Sequence, residues 1–290
     1  MIKAIRPTAE KIAVALDFDN TLVPDTYDKL IEYLGMDAAA FRQQIYEPMK
    51  ADGWDHIPAR FHSLIDYSHS RADPSEKITR ETIRQFAQSL QPFPGVTELF
   101  DRLQTAAQNI VPNIEVEFYL ITSGFVEFAQ QSKVASHFKA MWGPEFHYSE
   151  AGEIACLKRS LSHAEKPLYL YFLSKGVSEL KNRDDLLFVY EDLSPEALAI
   201  PLSQVIYVGD GASDIPCFAL LKREGGTAIG VYPDGSAQQW ANRYQLSEGE
   251  RISNLARADY SEDSELMKSL TLAVESISKQ IQLQQLSRAE

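Results

Sequence analysis

The segment 12-IAVALDFDNTL-22 places two aspartates, Asp17 and Asp19, at the end of a short apolar run. An apolar run of this length that ends in acidic, turn-forming residues predicts a buried strand. Side chains alternate along a strand, so both carboxylates are expected on the same side. One can stay ionised as a nucleophile or metal ligand while the other holds a proton as a general acid, because mutual repulsion and a nearby cation separate their pKa values. The alternative is an acidic turn or helix cap that serves folding alone.

Three further apolar runs, at residues 116–121, 205–208 and 227–232, also end in small or acidic residues. Short runs of this kind, separated by helical patterns, are typical of parallel strands that are covered on both faces. They predict an α/β fold with a Rossmann-like three-layer core and a mostly parallel sheet. Ligands bind at the carboxyl ends of the strands in such folds, which is where these small and acidic residues lie.

Between the first two predicted strands, residues 25–91 follow a helical pattern instead. Asp37 and Ser75 can each cap a helix, and apolar residues recur at helical spacing through the segment. These apolar residues are Phe41, Ile45, Met49, Ile57, Phe61, Leu64, Ile65, Ile78, Ile83, Phe86 and Leu90. The sequence 92-PFPG-95 marks the exit, because helix does not continue easily there. We therefore predict an all-helical cap at residues 25–91, inserted into a discontinuous α/β core of residues 1–24 and 92–290.

A second acidic cluster, 209-GDGASD-214, follows the predicted strand at 205–208. Its glycines permit a tight turn, and Asp210 and Asp214 stand four residues apart. Carboxylates from two strand ends are ligands that Mg²⁺ favours, with a substrate phosphate completing the coordination. A strand-to-helix turn with an aspartate cap is the alternative interpretation.

The sequence 122-TSG-124 and one of three lysines complete the set of candidate phosphate-binding groups. Hydroxyls and free backbone N–H groups at a helix start bind phosphate readily, although serine and threonine are also ordinary helix caps. A lysine would neutralise the phosphate, and Lys158, Lys166 and Lys175 all precede the second acidic cluster.

Taken together, the strand before DFDNTL, the strand before TSG, a lysine and the strand before GDGASD resemble the haloacid dehalogenase superfamily of phosphohydrolases. The resemblance extends over residues 12–260, and the helical segment stands where that superfamily carries a helical cap. The layout is most similar to the phosphoserine-phosphatase-like branch, which also has PGV at the exit of the cap and SG after the second strand.

The resemblance implies a role for each aspartate. Asp17 would be the nucleophile that forms an aspartyl-phosphate, and Asp19 the acid that protonates the leaving group and then activates water. Asp210 would bind Mg²⁺, and Asp214 would be either a ligand or a partner of one. Asp17 and the backbone carbonyl of Asp19 are also expected to bind the metal, and Ser123 to hold the transferring phosphoryl group.

Lys166 is favoured as the active-site lysine because it stands before a helical run, as the lysine of the superfamily does. Lys175 is the alternative, since it lies closer to Asp210 in sequence. The gap between Lys166 and Asp210 is longer than expected for this branch, and we attribute it to an insertion at residues 182–203. The residues expected to bind the substrate are Thr21, Ser123, Gly124 and Lys166.

Substrate choice is expected to reside in the cap. Five residues there are candidates for contact with the leaving group, although packing or surface roles are commoner for such residues: Tyr46, Trp54, His56, Arg60 and Arg71. Thr26 stands where phosphoserine phosphatases carry a glutamate for the substrate ammonium, which argues against phosphoserine unless Asp25 substitutes. The cap histidines are expected to be ordinary helix residues rather than metal ligands: His56, His62 and His69.

Composition sets the remaining expectations. The formal net charge is −13, which disfavours nucleic acid and membrane surfaces as partners. Two cysteines, no signal-peptide pattern and no long apolar run predict a cytoplasmic protein. Residues 266–281 predict a terminal helix, docked on its own domain or at a dimer contact, so a monomer or a homodimer is expected.

These features predict a Mg²⁺-dependent phosphomonoesterase that acts on a small phosphorylated metabolite. Dehalogenation is disfavoured because a halide leaving group needs no proton from Asp19. Two alternatives remain at this stage: a non-catalytic relative that binds a ligand or a protein, and a phosphotransferase whose acceptor is not water.

Overall fold

A parallel sheet forms the centre of the protein, whose structure is a computed structural model that describes residues 10–179, 183–194, 197–233, 235, 237, 240 and 252–288. The strands among these residues are β1 Lys11–Leu16, β2 Glu115–Ile121, β3 Phe138–Trp142, β4 Glu145–Tyr148, β5 Ile154–Arg159, β6 Val205–Gly209, β7 Thr227–Tyr232 and β8 Asn254–Arg257. The large sheet has the order β3-β2-β1-β6-β7-β8, and all of its described pairings are parallel. The predicted α/β class and the four predicted strands are confirmed, whereas β3, β4, β5 and β8 were not predicted.

Helices cover both faces of this sheet. The described helices are α1 Thr26–Tyr33, α2 Ala38–Phe41, α3 Glu47–Ala51, α4 His56–Ser70, α5 Arg80–Ser89, α6 Val96–Gln108, α7 Val126–Gln130, α8 Lys166–Ser174, α9 Arg183–Tyr190, α10 Ile215–Glu224 and α11 Glu265–Arg288. Alternate residues of β1 face opposite layers, because Val14 joins the core under α6 and α11 while Ala15 joins the core under α8 and α10. The sheet and its two helical layers give the predicted three-layer core.

The segment from Asp25 to Gln91 is helical wherever it forms regular structure. It contains α1 to α5, and a π-helical turn at Arg42–Tyr46 joins α2 to α3. The predicted cap at Asp37 is confirmed, since its side chain accepts a hydrogen bond of 2.7 Å from the backbone N–H of Ala40. The boundaries of the cap as a separate domain stay a prediction.

The start of α5 differs from its prediction. Ser75 does not cap this helix; it lies in a short 3₁₀ turn at Pro74–Glu76, held by the side chain of Asp73. The N-cap is Thr79, whose hydroxyl accepts a 3.1 Å bond from the backbone N–H of Thr82, while the Thr82 hydroxyl accepts from the N–H of Thr79. This reciprocal pair satisfies two backbone donors at once, so the helix begins there.

A small hairpin of β4 and β5 joins the core to the helical segment. The backbone N–H of Arg80 donates to Gly152 O at 2.8 Å, and the N–H of Ile154 donates to Ile78 O at 3.0 Å. The side chain of Lys77 pairs with Glu153 at 2.9 Å. Strand β5 then packs along α4 and leads directly into the loop before α8.

The predicted terminal helix is confirmed as α11, which packs against α6, β1 and β8. The predicted insertion at residues 182–203 contains α9, although residues 182, 195 and 196 lie outside the described residues. Within the described ranges, no helix combines the length and apolar character that are needed to cross a membrane.

Candidate active site

The carboxyl end of β1 presents the first two aspartates. The backbone N–H of Asp17 continues the sheet by donating to Val208 O at 2.9 Å, and its side chain is buried. Asp19 is buried as well, and its Oδ1 accepts a 2.6 Å bond from the N–H of Thr26. The second oxygen of Asp19, Oδ2, has no hydrogen-bond partner among the described residues. It therefore has a free position for an incoming donor or acceptor.

Lys166 lies between two carboxylates from different strand ends. Its Nζ is 3.1 Å from Asp17 Oδ1 and 2.7 Å from Asp214 Oδ1, and the lysine is fully buried. Burial lowers the pKa of this lysine, but the charges of Asp17 and Asp214 outweigh burial and raise the pKa above its ordinary value. The first residue of α8 thus carries a fixed positive charge beside Asp17.

Asp214 is held by neighbours on both of its oxygens. Oδ1 accepts bonds from Lys166 Nζ and from Tyr207 OH at 2.5 Å, while Oδ2 accepts from the backbone N–H of Gly211 at 3.0 Å. Its carboxylate lies against Gly209, where the Cβ of any other residue would overlap it. Asp214 is therefore placed to position the lysine, and its oxygens are already engaged.

The same strand ends offer oxygen donors for a cation. Asp17, Asp210 and Asp214 each present one carboxylate oxygen, and these atoms all lie within 4.8 Å of one another. Burial raises the pKa of Asp210 well above its ordinary value, and the charge of Asp17 adds to this effect. An all-oxygen set with excess negative charge fits Mg²⁺. Asp17, Asp210 and Asp214 are therefore the side chains that could hold such an ion, and Asp17 and Asp214 also pair with Lys166.

Burial also shifts the two aspartates after β1. It raises the pKa of Asp17 to about 7, against the opposing charge of Lys166. It raises the pKa of Asp19 to about 6, and the charge of Asp25 adds to this shift. Both carboxyls therefore hold protons more readily than exposed aspartates do.

The loop after β2 adds hydroxyl and backbone groups to the site. Thr122 Oγ1 accepts a 2.9 Å bond from the N–H of Gly124, while the hydroxyl of Ser123 is buried without a hydrogen-bond partner in the described part of the chain. The hydroxyl of Thr21, after β1, is also buried without a hydrogen-bond partner among the described residues. Gly124 lies against Asp19, because a Cβ at this position would overlap Asp19 Oδ2.

The other two candidate lysines lie elsewhere. Lys175 caps the opposite end of α8, where its Nζ donates to the carbonyls of Phe188, Val189 and Glu191. Lys158 is exposed on β5 and pairs with Glu145 at 2.9 Å. Of the three lysines, Lys166 alone contacts the aspartates.

Comparisons with known proteins agree with this architecture. No protein-family model matches the chain. An uncharacterized protein from Borreliella burgdorferi is 22% identical over 279 residues, which cover 88% of this chain and 93% of that protein. A HAD family hydrolase from Salmonella enterica serovar Typhi matches with a TM-score of 0.56 at 14% identity, over 86% of this chain and 67% of that one. A substrate-bound phosphoserine phosphatase matches with a TM-score of 0.54 at 13% identity, over 90% and 98%.

The chain has the fold of the haloacid dehalogenase superfamily. The similarity extends across both the α/β core and the helical segment, so the fold is of the phosphoserine-phosphatase-like kind. The predicted resemblance is therefore confirmed at the level of the fold.

In this haloacid dehalogenase fold, two arginines of the helical segment lie beside Asp25. Arg60 Nη2 is 2.6 Å from Asp25 Oδ2, and Arg42 Nη2 is 3.7 Å from the same oxygen. Burial raises the pKa of Asp25, but both arginines lower it and their combined effect leaves it below the ordinary value. Asp25 thus already has cationic partners, and both arginines also lie over the ring of Tyr27.

Two contacts of the site were not predicted from the sequence. Tyr207, on β6, donates to Asp214, and Trp240 donates its indole N–H to the backbone carbonyl of Asp210. Tyr207 lies in the apolar run 205–208, and a tyrosine hydroxyl needs a hydrogen-bond partner when it is buried. The sequence therefore indicated that Tyr207 would donate to a nearby polar group. No signal around Trp240 pointed to the site.

The other candidates from the helical segment contact neighbouring side chains of that segment. Trp54 stacks on His62, and Arg71 lies over the ring of Tyr67. The hydroxyl of Tyr46 is 2.5 Å from His56 Nδ1. In the described ranges, neither His62 nor His69 belongs to a group of residues spaced to hold a metal.

Proposed function

We propose that this protein is a Mg²⁺-dependent phosphomonoesterase that hydrolyses a small phosphorylated metabolite through an aspartyl-phosphate on Asp17. One observation carries the proposal: a fully buried lysine, Lys166, lies between Asp17 and Asp214 at salt-bridge distance. Burying a charged lysine is costly unless negative charge lies next to it. A phosphoryl group on Asp17 would bring further negative charge to Lys166.

Polar groups without partners support the same reaction. The hydroxyls of Ser123 and Thr21 and the Oδ2 of Asp19 are buried and make no hydrogen bond among the described residues. Buried polar groups are normally satisfied, so these three are available to a ligand. Their position at the ends of two adjacent strands suits a tetrahedral group bound beside Asp17.

Each group then has a step in the proposed reaction. A carboxylate oxygen of Asp17 attacks phosphorus, while Asp19, whose pKa is raised to about 6, protonates the leaving alkoxide. Lys166 and Ser123 hold the phosphoryl oxygens in place. Asp19 then removes a proton from the water that releases phosphate from Asp17. Mg²⁺, held by Asp17, Asp210 and the backbone of Asp19, would supply further positive charge for the phosphoryl oxygens.

The position of the helical segment near Asp19 supports the proposal of a small substrate. Its helices α1 and α4 supply Asp25 and Arg60, and the charge of Asp25 raises the pKa of Asp19, so these groups lie near the proposed acid. A large folded phosphoprotein would not reach an aspartate that is covered in this way.

The test is release of phosphate from a generic aryl phosphate by purified protein, with Mg²⁺ and with EDTA, for the wild type and Asp17→Asn. We expect Mg²⁺-dependent release by the wild type and a loss of at least about 1,000-fold in Asp17→Asn. Asp101→Asn, an exposed acid on α6, is the matched control and should retain wild-type activity. Activity that survives both EDTA and Asp17→Asn would contradict the proposal.

A further inference from the structure

Tyr207 lies between two alanines in the central sheet. It is on β6, its side chain is fully buried, and its paired neighbours are Ala15 of β1 and Ala228 of β7. Paired residues of parallel strands point to the same face, so the two small side chains leave room for the tyrosine ring. The ring packs against Phe218 of α10, with the two centroids 5.9 Å apart. The hydroxyl at the end of this ring therefore has a defined position.

The hydroxyl of Tyr207 shares one carboxylate oxygen with Lys166. It donates to Asp214 Oδ1 at 2.5 Å, while Lys166 Nζ donates to the same oxygen at 2.7 Å. Short hydrogen bonds from a hydroxyl to a carboxylate are of the strong, charge-assisted kind. All three side chains are fully buried, so water does not stand in for either donor. Asp214 Oδ1 therefore depends on the tyrosine and the lysine together.

Lys166 has more neighbouring acceptors than N–H groups. An ammonium group carries three N–H donors. Four oxygens of described residues lie within 3.4 Å of Nζ: Asp214 Oδ1 at 2.7 Å, Asp17 Oδ1 at 3.1 Å, Ser213 Oγ at 3.2 Å and Tyr207 OH at 3.4 Å. A phosphoryl group on Asp17 would have to compete for the same three donors. The strength with which Asp214 holds the lysine therefore decides how much of the ammonium is left for that group.

We propose that Tyr207 is a positioning residue that sets how much of the Lys166 ammonium is available to a phosphoryl group on Asp17. This inference rests on the proposed phosphatase function and adds a residue to it. By donating to Asp214 Oδ1, the hydroxyl satisfies part of the negative charge there, so the carboxylate competes less for the lysine. Without the hydroxyl, Lys166 would be the one remaining partner of Oδ1 in the described part of the chain, and Asp214 would draw it away from Asp17.

The chain contains a matched tyrosine outside the site. Tyr119 of β2 belongs to the same buried layer as Tyr207, and its hydroxyl donates to Glu117. Glu117 is a buried carboxylate that pairs with Lys11 and Lys139, so the two tyrosines have the same types of partner. Glu117 lies in the first half of β2, whereas the candidate active site lies at the carboxyl ends of the strands. Tyr119→Phe therefore removes an equivalent hydrogen bond without changing the site.

The test compares Tyr207→Phe with Tyr119→Phe, because each substitution removes a hydroxyl and keeps the aromatic ring. Two quantities are measured with Mg²⁺: kcat/KM for hydrolysis of an aryl phosphate, and Kd for inorganic phosphate by calorimetry. We expect Tyr207→Phe to lower kcat/KM and raise Kd by at least about tenfold, the scale of one hydrogen bond to a charged group. Tyr119→Phe should leave both within about twofold of the wild type, because it lies apart from the site. Urea unfolding should show a similar loss of stability in both variants.

A double-mutant cycle tests whether Tyr207 acts through the lysine. Tyr207→Phe is repeated in a Lys166→Met background, where methionine keeps most of the aliphatic chain and no ammonium remains to be shared. We expect Tyr207→Phe to change kcat/KM by no more than about twofold in this background, because the effects of residues that act as a unit are not additive. A loss as large as in the wild-type background would overturn the inference.

The outcomes separate this inference from the proposed function. Hydrolysis and phosphate binding that change no more in Tyr207→Phe than in Tyr119→Phe would overturn the inference and leave the phosphatase intact. Phosphate binding that weakens in Tyr207→Phe but not in Tyr119→Phe, without hydrolysis by the wild type, would support the positioning role and refute the phosphatase. If the wild type neither hydrolyses the ester nor binds phosphate, both proposals fail.

Discussion

The two ends of helix α8 carry the same residue type in opposite settings. Lys166 begins the helix and contacts the carboxylates of Asp17 and Asp214, while Lys175 ends it and contacts three backbone carbonyls around α9. The first lysine neutralises full charges in a buried site. The second satisfies partial charges at the edge of the core, where lysines commonly cap carbonyls.

This difference shows what decides the role of a lysine. Both residues flank the same apolar run, so the run itself does not separate them by chemistry. Only the element that faces each helix end does so: β1 and the loop after β6 at one end, and the residues after Phe188 at the other. Substitutions of both lysines test whether they act as differently as their surroundings imply, and a third substitution examines a carboxyl that no described lysine contacts.

Lys166→Ala should have the largest effect. Its removal leaves Asp17 and Asp214 without their cation and removes the charge that would hold a phosphoryl group. We expect kcat for aryl phosphate hydrolysis to fall at least about 1,000-fold, which is the scale for losing one preorganised charge in a buried site. Lys158→Ala, which removes an exposed lysine of β5, should stay within about twofold of the wild type. Equal losses in the two variants would show that the effect of Lys166→Ala is not specific to the buried lysine.

Glu127 extends the comparison to a half-buried carboxyl that no described lysine contacts. Its Oε1 accepts bonds from the N–H of Phe146 and the hydroxyl of Tyr148, and no described cation lies within salt-bridge distance. Burial raises the pKa of Glu127 from 4.5 to about 7. The folded protein then holds a proton that the unfolded chain releases, so the free energy of unfolding declines as pH rises from about 4.5 to about 7.

Glu127→Gln should remove about 3 kcal/mol of that decline. The measurement is urea unfolding at pH 4.5 and pH 8 in EDTA, in which the difference between the wild type and the variant isolates Glu127 from the other buried acids. Glu98→Gln, an exposed acid on α6, serves as the control. An identical pH dependence in wild type and Glu127→Gln would show that Glu127 is ionised in the folded protein.

Lys175→Met should have the smallest effect on the reaction and a modest effect on folding. Methionine keeps the aliphatic part of the side chain but leaves the carbonyls of Phe188, Val189 and Glu191 without this donor. We expect the free energy of unfolding to fall by about 1–2 kcal/mol, while kcat stays within about twofold of the wild type. A loss of activity comparable to that of Lys166→Ala would place Lys175 in the reaction.

Much of the architecture was predictable because its signals are local. Each of the strands β1, β2, β6 and β7 is a short apolar run that ends in small or acidic residues. The sequence therefore indicates both the strand and the position of its end. The aspartates of two such ends then had to meet at one edge of a parallel sheet. The prediction of Lys166 rested on resemblance, and its contact with Asp17 and Asp214 depends on how α8 packs.

The elements that were not predicted depend on contacts with residues that are distant in sequence. Strand β3 is only five residues long, and it is ordered by pairing with β2. The hairpin of β4 and β5 carries exposed and charged residues, and its place is fixed by backbone contacts with residues 78–80. Trp240 reaches Asp210 across a separation of 30 residues. Such contacts follow from tertiary packing rather than from propensity.

Two glycines limit which mutations the site tolerates. Gly124 and Gly209 occupy positions where a Cβ would overlap the carboxylates of Asp19 and Asp214. Even alanine would displace one of these two carboxylates. In a saturation scan selected for activity, both positions should therefore be as intolerant as Asp17, although neither glycine has any chemistry of its own to lose.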